Sequence, residues 1–420
     1  MQQSTKWPIG IEVLFAFFVF VFIAYRDILD LSFSGTVSAG LISLMVIVLP
    51  YTRAIPFLFF ILPFTCGIPG YTVLLAYIFL IIKARKYDIW QFLPPFILGA
   101  LEFVHITFSN VEVNVVTSIS FLSFIALFFF LLFDPDERVD RTSCIRMFIY
   151  GTLAALVIIY IGIIENNGFE ELLSGVLRSA MEFKGLEEEE VQGSLVLNAN
   201  SIAYYSITAF SLLLLGNRRL KINRIIYFCL IGLSVLTGAL SFSRTWMAMF
   251  FFVILFFLLA TTNKIKSFII VGVMVFIVFV FYYSYLDSIW DVFMGRVDDE
   301  NFKTAGGRTT IFAVYNEFWL SKISYVIWGA GAMCYKHIIN FDYSMHNGLQ
   351  QIYVSYGIVG IVLFATVICL FARKYITNRR SLILYIPFIT CFLFDQSIQF
   401  WDPYYLIFPF VTTAYVLRLK

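Results

Sequence analysis

Three short stretches of this sequence gather the residue types that chemistry at a phosphorylated centre needs. The first is the turn Leu240-Ser-Phe-Ser-Arg244-Thr-Trp246, which sets an arginine at the head of an apolar run. The second is Gly306-Gly307-Arg308, two glycines beside a guanidinium at the start of a patterned segment. Exposed N–H groups at a helix start, joined by a bidentate arginine, form a cradle suited to pyrophosphate. The third is Ser344-Met345-His346-Asn347-Gly348, again directly before an apolar run. The chain has three histidines, His105, His337 and His346, and His346 lies at an expected outer membrane boundary where neither a packed core nor lipid need claim it. A histidine there suits a general base, or a group that orients a hydroxyl, near neutral pH. Each stretch also has a plain reading. An arginine at a boundary snorkels or pairs with lipid phosphate, an interfacial helix often starts with glycine, and a histidine before a helix needs no chemistry.

The elements that hold these residues are membrane spans. Hydrophobic residues make up 60% of the 420 and charged residues 13%, against roughly 45–50% and about 25% in soluble domains. Together with a mean hydropathy of +0.87, that excludes a soluble globular protein. Apolar runs fall at 7–24, 34–50, 91–106, 116–133, 148–164, 200–215, 225–240, 245–260, 268–283, 348–372, 382–394 and 404–416. The expected fold is therefore all-α, a single polytopic domain over 1–420 with about 12 transmembrane helices. Residues 54–82 are broken by Pro56, Pro63, Gly67, Pro69 and Gly70. They suit a re-entrant hairpin or two short spans, and the second choice raises the count to about 14. No small-residue cleavage site precedes Arg26 and Asp27, so 7–24 reads as a retained helix. The six cysteines are scattered without CxxC spacing and read as small buried hydrophobes.

Charge alternates between the loops. Lys83/Arg85/Lys86, Arg138/Arg141/Arg146, Arg218/Arg219/Lys221/Arg224, Lys264/Lys266, Arg373/Lys374/Arg379/Arg380 and Arg418/Lys420 form a basic set. The positive-inside rule places that set, and with it both termini, in the cytoplasm. The opposite loops are polar or acidic, including 165–198 with its Glu187–Glu190 run. The other large one, 284–347, is too long for a connector and carries all of the second and most of the third candidate stretch. Within it, Ile311, Val314, Tyr315, Phe318 and Trp319 recur at helical spacing, the stripe of an amphipathic helix expected to lie on the outer bilayer surface.

Other ionisable groups are weaker candidates. Glu102 and His105 share a helix face, but His105 stands near the outer end of its span, where solvent exposure is the simpler expectation. Asp134-Pro-Asp136 falls among cytoplasmic arginines, and Asp298, Asp299 and Glu300 form a solvated run. Asp27 and Asp30 follow the first span on the outer side, where many lipid-dependent glycosyltransferases carry metal ligands. Asn198 and Asn200 stand at the outer mouth of a span, placed to bond a sugar or to cap the helix. No HExxH, Walker A, GxSxG or Rossmann fingerprint occurs.

The order of these elements resembles the O-antigen ligase/polymerase superfamily of bacterial envelope glycosyltransferases, its oligosaccharide repeat-unit polymerases in particular. The residues that carry the likeness are Thr237-Gly238 with Ser243-Arg244, Gly307-Arg308 followed by Trp328-Gly-Ala-Gly331, and His346-Asn347 leading into Tyr356-Gly-Ile-Val-Gly360. The Asn198-Ala-Asn200-Ser201 mouth is also similar. The likeness covers roughly residues 195–375. It implies a GT-C-like membrane enzyme of the bacterial inner membrane, with its active site on the external face. The implied donor and acceptor are glycans on undecaprenyl diphosphate. Arg244 and Arg308 would clamp the diphosphate, His346 would orient or deprotonate the acceptor hydroxyl, and Asn200, Gly307 and Asn347 would contact substrate. The resemblance implies no metal or other cofactor and no nucleic acid; a chain-length regulator protein is a candidate partner. Polymerase and ligase are not separated by these motifs. A flippase or transporter is the competing class, against which stand few mid-membrane ionisable residues and no paired broken helices.

Overall fold

The computed structural model describes residues 35–61, 78–80, 82–84, 89–109, 111–112, 138–167, 199–216, 220, 222–241, 243–260, 265, 268–269, 271–273, 275–276, 308–341, 343, 345 and 347–375. Among these residues every regular element is helical. In chain order they are α1 (Gly35–Val48), α2 (Tyr51–Ile61), a 3₁₀ turn (Ile89–Phe92) leading into α3 (Leu93–Ser109), α4 (Arg141–Asn167), α5 (Ala199–Gly216), α6 (Arg224–Leu240) and α7 (Arg244–Ala260). The long 284–347 loop contributes α8 (Arg308–Leu320), the short α9 (Ile323–Trp328) and α10 (Tyr335–Ile339), and α11 (Gly348–Tyr375) follows.

The starts of these helices are written in the sequence. Asp140 Oδ1 accepts the Thr142 N–H at 3.0 Å and Asn223 Oδ1 accepts the Ile225 N–H at 2.9 Å, which caps α4 and α6 and pairs donors a helix start leaves open. Lys83 caps an opposite end. Its ammonium donates to the carbonyls of Val46 and Ile47, each at 2.5 Å, and to that of Leu49, where the negative pole of α1 attracts a cation.

Packing runs in two linked groups. α2 lies along α4, and α4, α6 and α7 all pack on α5. In the second group α8, α9 and α3 pack on α11. One contiguous core joins the groups, from Ile42 and Phe59 through Phe210 and Trp246 to Met333 and Tyr356. Its interior carries small hydroxyls, with Ser43, Ser206, Ser211 and Ser234 buried. The outward faces are apolar: Phe96, Phe103, Phe228 and Phe251 each expose 61–74% of their surface. Continuous apolar faces of that kind suit lipid rather than water, and small polar residues between helices are what membrane bundles use at contacts. Among the described residues, Gly348–Leu370 is long and apolar enough to cross a bilayer; Leu93–Ser109, Arg224–Leu240 and Thr245–Leu259 are shorter apolar helices. Of the cysteines expected to be buried, Cys144 and Cys334 are, whereas Cys229 and Cys369 lie on outward faces.

The expected amphipathic helix is α8, with a correction to its setting. Its stripe faces protein. Ile311 and Tyr315 are buried in a satellite core with Ala330, Tyr335, Met345 and Val354, and Phe318 and Trp319 pack against it. An apolar stripe is satisfied equally by lipid or by protein, and here α9, α10 and the head of α11 reach it first.

Candidate active site

The first candidate arginine opens a helix whose position is set by small polar groups. Ser243 Oγ accepts the Trp246 N–H at 3.3 Å and the Ser243 carbonyl accepts from Met247 at 3.1 Å. Ser243 is thus the N-cap of α7 and Arg244 its first residue. The preceding turn closes on Ser241, whose N–H bonds the Thr237 carbonyl at 3.1 Å and whose hydroxyl bonds the Gly238 carbonyl at 2.6 Å. The Trp246 indole N–H donates to Ser206 Oγ at 3.2 Å, and that hydroxyl passes its own proton to the Ser234 carbonyl, so α7, α5 and α6 are stitched together. Gly238 is required for this. A Cβ there would stand 1.9 Å from the Trp246 ring. Thr237 Oγ1 gives its proton to the Leu233 carbonyl at 2.7 Å, which makes Tyr160 the donor in its 2.9 Å bond to Thr237.

The loop that follows α9 is latched to α3. Glu102 is fully buried; its two carboxylate oxygens accept the N–H groups of Ala332 at 2.9 Å and Met333 at 2.7 Å. The buried Tyr356 phenol lies against the same carboxylate. One turn on, His105 Nε2 meets the Trp328 carbonyl at 3.0 Å; a carbonyl only accepts, so Nε2 carries the proton. Another turn on, Ser109 Oγ donates to Cys334 Sγ at 3.3 Å. Glu102, His105 and Ser109 therefore form one polar stripe along α3. Seven residues separate its ends, so the loop is held over a depth of roughly 10 Å along that helix. The solvent exposure expected from His105's place near the end of its span is met only in part, since His105 is half-buried, and it does not extend to Glu102, which has no exposure and serves as the loop's anchor. Burying a carboxylate is tolerated when donors meet it, and here two backbone N–H groups do.

The same loop also bonds to α11. Gly357 adopts φ 60°, ψ −154° inside that helix and kinks it. The break frees the carbonyls of Val354 and Ser355, which accept the N–H groups of Ala330 at 2.8 Å and Gly331 at 2.9 Å. The approach is close enough that a Cβ on Gly329 would lie 2.3 Å from the Ser355 backbone, and one on Gly357 would lie 2.4 Å from the Ile327 carbonyl. Gly329 too has a positive φ, 78°. The Trp328-Gly-Ala-Gly331 and Tyr356-Gly-Ile-Val-Gly360 motifs are thus two halves of one backbone joint.

The head of α11 meets α8 in a polar seam. Asn347 Oδ1 accepts the Gln350 N–H at 2.9 Å and caps α11. Gln350 Nε2 donates to the Phe312 carbonyl at 2.9 Å and to Asn316 Oδ1 at 3.3 Å. Tyr353 donates its hydroxyl proton to the same Asn316 oxygen, and its ring packs on Trp319 at 4.6 Å between centroids.

The expected site residues map onto this frame unevenly. Arg308 is the partly buried first residue of α8, Asn347 is the N-cap of α11, and Asn200 is the second residue of α5. The structure brings the helices of Arg308 and Asn347 into direct contact, while Arg244 heads a helix of the other group. The side chains of Arg244 and Asn200 lie outside the described residues, as do Gly307, His346 and the acidic loop 165–198 apart from its boundary. What sequence reasoning missed is the α3 latch. Its signal was polar residues at i, i+3 and i+7 on a helix that is otherwise apolar.

Residues 228–365 match the family model described as O-antigen ligase. The resemblance read from the motifs is borne out over that stretch, which runs from within α6 to within α11 and contains Arg244, Arg308 and His346. Glu102, His105 and Asn200 lie outside it. The family is one of membrane proteins that act in polysaccharide biosynthesis. No curated protein and no solved structure matches the chain.

Proposed function

We propose that this protein is a metal-independent, multi-pass glycosyltransferase that polymerises undecaprenyl-diphosphate-linked oligosaccharide repeat units at the external face of the bacterial inner membrane. The observation that carries the reading is positional. Arg244 and Arg308 are the first residues of α7 and α8, and Asn347, next to His346, caps α11. All of these lie in the stretch that matches the O-antigen ligase family model. In this reading the three helix starts stand on the external side, and anions are favoured at such positive poles.

In this reading the acceptor hydroxyl attacks the anomeric carbon of the donor sugar. The new C–O bond forms as the bond to the lipid diphosphate breaks, and the hydroxyl proton passes to His346. Arg244 and Arg308 stabilise the charge that develops on the leaving diphosphate. The membrane part is GT-C-like, with 12 or 14 spans as the 54–82 segment decides, and both termini in the cytoplasm. A chain-length regulator is the expected protein partner.

A second reading, an O-antigen ligase that hands the finished glycan to a terminal acceptor such as lipid A-core, is favoured by the description of the matching family model. One experiment separates the two. Purified protein is given a lipid-linked repeat unit alone and the products are resolved on a gel. A ladder of multiples means a polymerase. Transfer that begins only when a terminal acceptor is added means a ligase. Neither product, with repeat units verified intact, returns the field to a transporter.

A further inference from the structure

The chain from Gly329 to Tyr335, which joins α9 to α10, leaves no N–H group for water. All of its residues are buried, and each of its N–H groups has a partner inside the protein. Gly329 donates to the Tyr325 carbonyl, Ala330 and Gly331 to the carbonyls of Val354 and Ser355, and Cys334 and Tyr335 to that of Gly331. Ala332 and Met333 donate to Glu102. A loop on a wet surface leaves part of this work to solvent. Irregular backbone at membrane depth has no such recourse, and is tolerated there only when it is buried in protein.

Two helices measure how far down the loop sits. Glu102 is seven residues from the end of α3 at Ser109, and Val354 and Ser355 are six and seven residues from the head of α11 at Gly348. Both distances come to about 10 Å along the helix. Gly348–Leu370 is, among the described residues, the segment long and apolar enough to cross a bilayer. Its 23 residues run about 34 Å, against a hydrocarbon core about 30 Å thick. Little of that helix stands clear of the hydrocarbon, so a point about 10 Å from its head lies inside the leaflet.

The faces around the loop agree with that depth. α9 packs on α11 and turns outward Ile323, 76% exposed, Ile327 one turn on, and Trp328, 50% exposed. Gly357 brings α11 against the Ile327 carbonyl, and beyond it Ile358 and Val362 are exposed on one face. On the other flank His105 holds the Trp328 carbonyl, and Phe108, one turn along α3, is exposed too. The apolar face of α9 thus continues the outward faces of α3 and α11. At the start of α9 the exposed Lys322 sets its ammonium 5.1 Å from the centre of the Tyr325 ring. A lysine and a tyrosine are residues that settle at headgroup level.

We infer that α9 and the loop to Tyr335 form a re-entrant segment, sunk between α3 and α11 into the leaflet at the head of α11, with Ile323, Ile327 and Trp328 packed on lipid acyl chains. Part of the long 284–347 loop is then a membrane element. The inference rests on the chain's place in a membrane and is independent of the transfer chemistry.

The test uses the full chain in phosphatidylcholine nanodiscs, with Trp328 as its own probe. The emission of wild type less that of Trp328→Phe isolates this one indole. Phosphatidylcholine brominated on its acyl chains should remove most of the difference emission, and iodide in the buffer should remove none. Quenching by iodide puts α9 in water and overturns the inference. Quenching by neither puts it against protein, such as a second copy of the chain, and overturns it as well. If Trp328→Phe does not fold, Ile327→Asp and Ile327→Ala carry the test through their melting temperatures in the same nanodiscs. Both lose the isoleucine's packing, but only aspartate brings a charge that hydrocarbon rejects. Ile327→Asp should melt well below Ile327→Ala, or fail to insert. Equal melting of the two overturns the inference.

Discussion

The carboxylate of Glu102 holds the backbone N–H of Met333 at 2.7 Å across 231 residues of chain. A second oxygen holds Ala332, so one side chain fixes the loop between Trp328 and Tyr335 to α3. Glu102→Ala is expected to leave two buried N–H groups unmet, at a cost of about 2 kcal/mol or more. Thermal unfolding in detergent should show a clear drop, and transfer should be lost with it. Glu102→Gln keeps one acceptor but turns an amide N–H toward the second donor, so it should fall between the two. Equal stability of all three proteins would remove the anchor.

The backbone joint gives a second test. Gly329→Ala and Gly357→Ala each place a side chain at positive φ, at about 1–3 kcal/mol, and into a contact of 2.3–2.4 Å. Both should unfold at lower temperature. Gly232→Ala is the control, because a Cβ there meets nothing within 4 Å in mid-helix. It should be neutral, or more stable by up to about 1 kcal/mol.

Burial raises the Cys334 thiol above its ordinary value, with the nearby Glu102 charge adding to the rise and the Ser109 hydrogen bond opposing it. A raised pKa means less thiolate at any given pH, and thiolate is the reactive form. Maleimide at pH 8 should therefore leave Cys334 unlabelled in native wild type. In Glu102→Ala, where the loop is released, labelling should appear, and mass spectrometry of the peptide reads both.

Arg244→Ala, Arg308→Ala and His346→Ala should each lower glycan transfer by at least about a hundredfold, with membrane levels unchanged. Arg308→Lys should recover little, since an ammonium lacks the two-pronged donor geometry of guanidinium. Near wild-type transfer in either arginine-to-alanine variant would end the clamp.

The sequence made some of this legible and hid the rest for physical reasons. Local signals carried through. The stripe from Ile311 to Trp319 is a helix, and Arg308 stands at its first residue as its glycine-led start suggested. Periodicity reports which face is apolar and is silent about what covers it, so the protein setting of α8 was not available from spacing. Gly329 and Gly357 were visible as motif letters. Their role required knowing that residues 330 and 354 meet, a contact with no local trace. Glu102 was hidden for the same reason: its partners lie more than 200 residues away, and only its cost inside an apolar helix marked it.

The Lys83 cap on α1 has a consequence for counting. α2 sets out from the carbonyl end of α1, and Lys83 brings the chain back to that same end. The described ends of that stretch, Tyr51 and Lys83, thus share one pole of α1, so a count of spans made across it begins and ends on the same side.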